Sequence, residues 1–97
     1  MDIKKIYDNK LTVEVSGRLD SESSHELEEE LIGNISEITE LVFDFKDLEY
    51  ISSSGLRVVL TIQKIMEKQG KLTIKNVNKF VMDVFKTTIV YKLLDIQ

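Results

Sequence analysis

The run ELVFDF, residues 40 to 45, limits the fold more than any other stretch of this chain. It is nearly continuously apolar, carries β-branched and aromatic members, and is too short for an ordinary helix. It therefore reads as a strand buried on both faces, which belongs in the interior of a sheet. The flanking patterns say how its neighbours arrive.

DIKKIY and KLTVEVSGRL flank the turn-forming pair Asp8-Asn9, and Leu11, Val13 and Val15 alternate onto one face, which predicts a β-hairpin. Ser23 and Glu26 have capping-box spacing ahead of Leu27 and Leu31, with Gly33-Asn34 as a stop, so a short amphipathic helix follows. Beyond ELVFDF, KDLEYI reads as a loop. A second helix is expected over about residues 54 to 69, with Ser53 as its cap and Gly70 at its end. KLTIKNV gives a fourth strand. Asn78 is then a candidate N-cap for Val81, Val84 and Phe85 at helical spacing, and the β-branched run TTIV splits the tail into two short helices.

This order is α/β: a four-stranded mixed sheet, its first strand antiparallel and the remainder parallel. Right-handed crossovers that extend in one direction put the helices mainly on one face. Ninety-seven residues, 42% of them hydrophobic, suit one domain over residues 1–97. With no cysteine there is neither a disulfide nor a thiolate metal site, so the core must stabilise the fold. No segment approaches the roughly 18 uninterrupted apolar residues of a membrane span, and MDIKKIYDNK has no long apolar stretch behind its charges. A soluble, cytoplasmic protein with no direct membrane insertion is expected. The net charge of -4 argues against nucleic acid as a general partner, because counterion release from phosphates needs a basic surface.

The functional candidates gather in YISSSGLR, residues 50 to 57. One serine suffices for a cap, and this stretch has three. The helix they open begins where a parallel strand's crossover emerges, at the sheet edge where α/β folds commonly place ligands. Its first amides lack intrahelical acceptors and carry the positive end of the dipole. Gly55 permits close helix–sheet packing. Leu56, Val58, Val59, Leu60, Ile62, Ile65 and Met66 cover most of the helix, leaving Arg57, Thr61, Lys64 and Lys68 as a polar stripe. That stripe is either a solvated face or a basic docking strip.

LVFDFKDLEYISSSGLRVVL, preceded by LTVEVSGRLD, resembles the STAS domain, the sulfate-transporter and anti-sigma-factor-antagonist family, in its small stand-alone bacterial form. The likeness covers nearly the whole chain. Members share a strand ending in aspartate, a loop, and typically Asp-Ser-Ser-Gly-Leu opening a long helix. The resemblance implies phosphorylation at Ser54, with Ser53 as second choice, and acidic residues Asp20 and Asp44 bordering that site. Partner binding is expected at Asp20, Ser52, Ser53, Ser54, Gly55, Arg57, Thr61 and Lys64. The chain departs from the pattern at Ser52, where many phosphorylated members carry aspartate, and at Thr88, where glycine is frequent.

By this resemblance the protein is an anti-sigma factor antagonist, a binding module and not an enzyme, with no cofactor. Its dephosphorylated form would bind an anti-sigma factor that is also a serine kinase and so release a sigma factor. Phosphorylation would end that binding, and a phosphoprotein phosphatase would restore it. The kinase brings ATP, Mg²⁺ and the catalytic base, so this chain need supply only an accessible hydroxyl. One alternative is a STAS subunit of a membrane transport or signalling complex, with the serines as caps. Another is a small nucleotide- or phosphate-binding protein, although SSSGL lacks the lysine and long glycine loop of a P-loop. His25, the only histidine, reads as solvated, and Asp20, Asp44 and Asp47 lack the compact oxygen-rich loop of a metal site. Without a Gly-x-Ser-x-Gly elbow or a serine–histidine–acid set, catalysis is discounted.

Overall fold

The hairpin forms as the alternation requires. β1 (Asp2–Tyr7) pairs antiparallel with β2 (Leu11–Leu19), setting Ile3 beside Val15 and Tyr7 beside Leu11. The computed structural model describes residues 1–97, apart from the side chain of Val90. The chain continues through α1 (Ser21–Leu31), β3 (Glu40–Asp44), β4 (Leu48–Ile51), α2 (Ser53–Glu67), β5 (Lys71–Lys75), α3 (Lys79–Lys86) and a 3₁₀ turn, Ile89–Leu93. The main sheet runs β1-β2-β3-β5, with β3 parallel to both of its neighbours, so ELVFDF is interior. The far edge of β5 is partly covered by the tail, where Ile74 N–H donates to the Asp95 carbonyl and Gln97 N–H to the Ile74 carbonyl, both at 2.8 Å.

The four expected strands form the main sheet in the expected senses, and a short fifth strand that the sequence did not announce joins it. KDLEYI is not a loop, because Leu48–Ile51 pairs parallel with the last part of β2, Gly17 to Leu19. β2 reaches beyond the end of β3, and β4 takes up the length left over. A bulge makes this possible. The register shifts between Gly17 and Arg18, and Gly17 has φ of 83°, a conformation that side chains with a Cβ rarely adopt. β2 thus serves β3 with its first half and β4 with its second.

Leu11, Val13 and Val15 of β2 and Leu41 and Phe43 of β3 share one face, which is buried together with Leu27 and Leu31 of α1 and Val59, Ile62 and Met66 of α2. Each such side chain stabilises the fold by about 1.5–3 kcal/mol. α1 and α2 pack against each other on this face, while α3 packs beside β4. A stacked series, Phe43 to Phe45 at 5.3 Å and Phe45 to Phe85 at 6.5 Å between ring centroids, joins β3 to α3. The cap of α3 is Asn78, as expected. Its side chain accepts from Val81 N–H at 2.8 Å and donates to the Leu48 carbonyl at 2.7 Å, tying α3 to β4. Thr88 has φ of -121°, so its position requires no glycine.

Two other caps differ from expectation. α1 is capped by Asp20 and not by Ser23, which lies at the third helical position and returns the bond: Ser23 N–H donates to Asp20 Oδ1 at 3.0 Å and Asp20 N–H to Ser23 Oγ at 2.9 Å. α2 is capped by Ser52 and not by Ser53, with Gly55 N–H donating to Ser52 Oγ at 3.2 Å. In both cases several nearby residues have capping chemistry, and the one used is the residue directly after the strand's last pair, with extended backbone.

Candidate functional site at the carboxyl edge

β2 and β4 end together, and each leads directly into a helix. Ser52 N–H donates to the Leu19 carbonyl at 2.9 Å, so the start of α2 lies against the strand end that feeds α1. Gly55 fixes how closely. A Cβ there would stand 2.7 Å from Ile51 Cγ1 and 2.9 Å from the Leu19 carbonyl oxygen, closer than side chains tolerate. Asp20, Ser52, Ser53, Ser54 and Gly55 therefore meet at one edge.

Within this group the serines have different duties. The hydroxyl of Ser52 is engaged as the cap. Ser53 and Ser54 occupy the first two helical positions, Ser53 exposed and Ser54 half-buried, and among the described residues neither hydroxyl has a hydrogen-bond partner. α2 has no acidic residue in its first turn, and its cap is neutral, so the positive end of its dipole is not offset by a carboxylate of its own.

Asp20 is otherwise employed. The Ser23 hydroxyl lies 2.6 Å from the Arg18 carbonyl and 3.0 Å from Asp20 Oδ1, its single proton shared between them. The Ser23 backbone N–H, and after it that hydroxyl, hold the Asp20 carboxyl below its ordinary value of 3.8, with a smaller contribution from the charge of Arg18. Asp20 follows Leu19, whose carbonyl accepts from Ser52 N–H, and its carboxylate serves as the cap of α1.

Asp44 does not border them. It pairs with Glu14 in the sheet, whereas α2 begins beside Leu19, five residues further along β2 and so roughly 16 Å away at about 3.3 Å per residue. The length of β4 intervenes. Asp44 instead accepts from Lys46 N–H and from Asn76 Nδ2, both at 3.0 Å, securing the strand end. Down α2, Arg57 and Lys64 are exposed and Thr61 is half-buried, its hydroxyl donating to the Arg57 carbonyl at 2.9 Å. Thr61, Lys64 and Lys68 line a shallow depression with Ile65, so the stripe is continuous and reaches the surface. His25 is exposed and lies 3.1 Å from Glu29. No cluster of three histidine or acidic side chains able to hold a metal ion occurs among the described residues.

A feature that sequence reasoning missed lies one residue pair short of this edge, on the sheet face opposite α2. Arg18 Cζ sits 4.1 Å from the centroid of the Tyr50 ring, and the ring of Phe80 of α3, tilted 31° to that of Tyr50, lies 6.3 Å from it between centroids. The only signal in the sequence was an arginine and two aromatics far apart, which the β2–β4 pairing brings together.

The model of the STAS domain matches residues 2–97. The chain belongs to the STAS domain family. Among its STAS relatives, the anti-sigma-B factor antagonist of Bacillus subtilis is 29% identical over 97 residues, covering 99% of this chain and 88% of that protein. BtrV of Bordetella bronchiseptica, assigned as an anti-sigma factor antagonist, is 35% identical over 81 residues, covering 81% of this chain and 70% of that protein. The STAS fold is also that of the anti-sigma factor antagonist SpoIIAA of Bacillus. Its unphosphorylated form superposes with a TM-score of 0.83 at 18% identity, over 99% of this chain and 88% of SpoIIAA. Its phosphorylated form gives 0.74 at 17% identity, over 99% and 89%. No helix among the described residues is long and apolar enough to cross a membrane.

Proposed function

We propose that this STAS domain is an anti-sigma factor antagonist whose partner binding is switched by phosphorylation at the start of α2. The observation that carries the proposal is the pair of hydroxyls, Ser53 and Ser54, that the fold leaves without a structural role. Curated relatives named as anti-sigma factor antagonists support the class of partner, and the two forms of SpoIIAA show that a protein of this fold exists with and without phosphate. In the dephosphorylated form the carboxyl edge and the stripe Arg57, Thr61 and Lys64 bind an anti-sigma factor that is a serine kinase, releasing a sigma factor. A phosphatase resets the switch.

The physical logic is local. A phosphate adds roughly -1.5 to -2 charges at a helix start whose dipole favours them, so the domain tolerates it. Pressed against a partner, the same dianion brings desolvation and repulsion, so binding ends while the fold stays unchanged. The family resemblance assigns the phosphate to Ser54. Exposure favours Ser53, the hydroxyl a kinase reaches without moving the helix.

Phosphate incorporation by the serine kinases of the host tests the proposal. Wild type should gain one phosphate and the double variant Ser53→Ala/Ser54→Ala none, with the two single variants assigning the site. Phosphorylated protein should lose the kinase that unmodified protein retains. Label in the double variant, or none in wild type with any host kinase, would refute the switch and favour the transport-complex reading, in which Ser52 simply caps α2.

A further inference from the structure

Phosphorylation explains how binding would end, but not what anchors it. The stack of Arg18, Tyr50 and Phe80 unites β2, β4 and α3 at the edge that carries the serines: Tyr50 is two residues before Ser52, and Arg18 two before Asp20. Tyr50 is half-buried and held in register beside Arg18 by the β2–β4 ladder. Phe80 is 54% exposed, on the first turn of α3 beside its cap, where folding asks for no aromatic side chain.

Arg18 makes no ion pair and no side-chain hydrogen bond among the described residues. The nearby carboxylate of Asp20 is committed to Ser23. The guanidinium therefore sits over a tyrosine ring with its donors unused, free to take a carboxylate in two parallel bonds.

Resting on the function proposed above, we propose that the Arg18–Tyr50–Phe80 stack is the docking anchor for the kinase partner. The partner would present a carboxylate to Arg18 and an apolar side chain to Phe80. Arginine and aromatic side chains dominate interface energetics, and unpaired exposed charge on one side calls for its opposite on the other. The surroundings select protein over nucleic acid as the occupant. Asp20, Glu22 and Glu26 line the cleft on the other flank of Arg18 and would repel a run of phosphodiesters. A single carboxylate on an otherwise apolar surface brings one charge to that flank and so meets much less repulsion than a run of phosphodiesters.

The test uses the full chain and whichever purified host serine kinase binds the unphosphorylated wild type, with affinity measured by calorimetry. Arg18→Glu and Phe80→Ala should each weaken binding roughly tenfold or more. Arg18→Lys, which keeps the charge but not the planar fork, should fall between them and wild type. Lys10→Glu, with the same charge change at the opposite end of β2, should bind as wild type does. Far-UV dichroism and thermal melts confirm that each variant is folded, which their exposure favours. Reversing one partner carboxylate to lysine should rescue Arg18→Glu specifically. If no kinase binds wild type, the functional reading fails and the anchor with it. If a kinase binds wild type and releases the phosphorylated form, yet binds Arg18→Glu and Phe80→Ala unchanged, the reading stands and the anchor is refuted. Binding of a single-stranded oligouridine that Phe80→Ala abolishes would also overturn it, making the stack a base platform.

Discussion

Two helices start at the carboxyl edge of the sheet, and their caps differ by one charge. α1 is closed by Asp20, whose carboxylate takes the Ser23 amide, with Glu22 adding a second negative charge in the first turn. α2 is closed by the neutral hydroxyl of Ser52 and has no acid in its first turn. The positive end of α1 is thus offset by the protein itself, while that of α2 is left for something else. Serines are plentiful at both starts, so serine content does not mark a site. The electrostatic vacancy at one helix start, together with hydroxyls nothing else uses, distinguishes them.

The contrast can be broken most severely at Gly55. Gly55→Ala forces a methyl against Ile51 and the Leu19 carbonyl, so α2 must lift off the strand ends. Urea denaturation should show a loss of about 1–3 kcal/mol, the cost of overpacking, which the better helix propensity of alanine only partly offsets. Next in size is the cap. Ser52→Ala should cost about 1 kcal/mol in the same assay. Ser53→Ala and Ser54→Ala should each stay within roughly 0.5 kcal/mol of wild type, as expected of side chains that bond nothing. Equal losses at all three positions would mean that the idle serines are not idle.

Ser52→Asp would make α2 resemble α1, with a gain of a few tenths to about 1 kcal/mol at neutral pH. A carboxylate held below its unfolded value stabilises above that value, and the gain disappears as pH falls through the lower folded value. The variant's advantage should therefore be full at neutral pH and vanish in acid. Smallest of all is the native counterpart. The Asp20 carboxyl is held low by Ser23, so α1 should keep its cap down past 3.8 and lose it only in stronger acid. The Ser23 amide resonance followed against pH should report that step, and Asp20→Asn should abolish it.

How far the sequence revealed this edge depends on the range of the interactions involved. The hairpin, the interior position of β3 and the extent of α2 all follow from local periodicity and turn residues, and all were legible. β4 was not. Its four residues include exposed Glu49, and they become a strand only because β2, distant in sequence, bends at Gly17 to receive them. That unseen strand also separates Asp44 from the serines and assembles the Arg18–Tyr50–Phe80 stack, so one long-range pairing accounts for both a misplaced residue and a missed one. The caps failed for a different reason: Asp20 and Ser23, like Ser52 and Ser53, are interchangeable in capping chemistry, and where the strand pairing ends, at Leu19 and Ile51, is not marked locally.

The bulge at Gly17 also divides the molecule by durability. On one side, β1, β2, β3 and β5 share long ladders over a common core. On the other, β4 is held to β2 through three residue pairs, and α3 is attached to β4 through Asn78 and Phe80 and to the core through Val81 and Phe85. The three-pair ladder of β4 is shorter than those of β3, so its amides should exchange with solvent before those of β3, although Leu48 and Ile51 belong to the common core. The serine segment follows directly on this short ladder, and a partner gripping Tyr50 and Phe80 would slow its exchange by holding the two ends together.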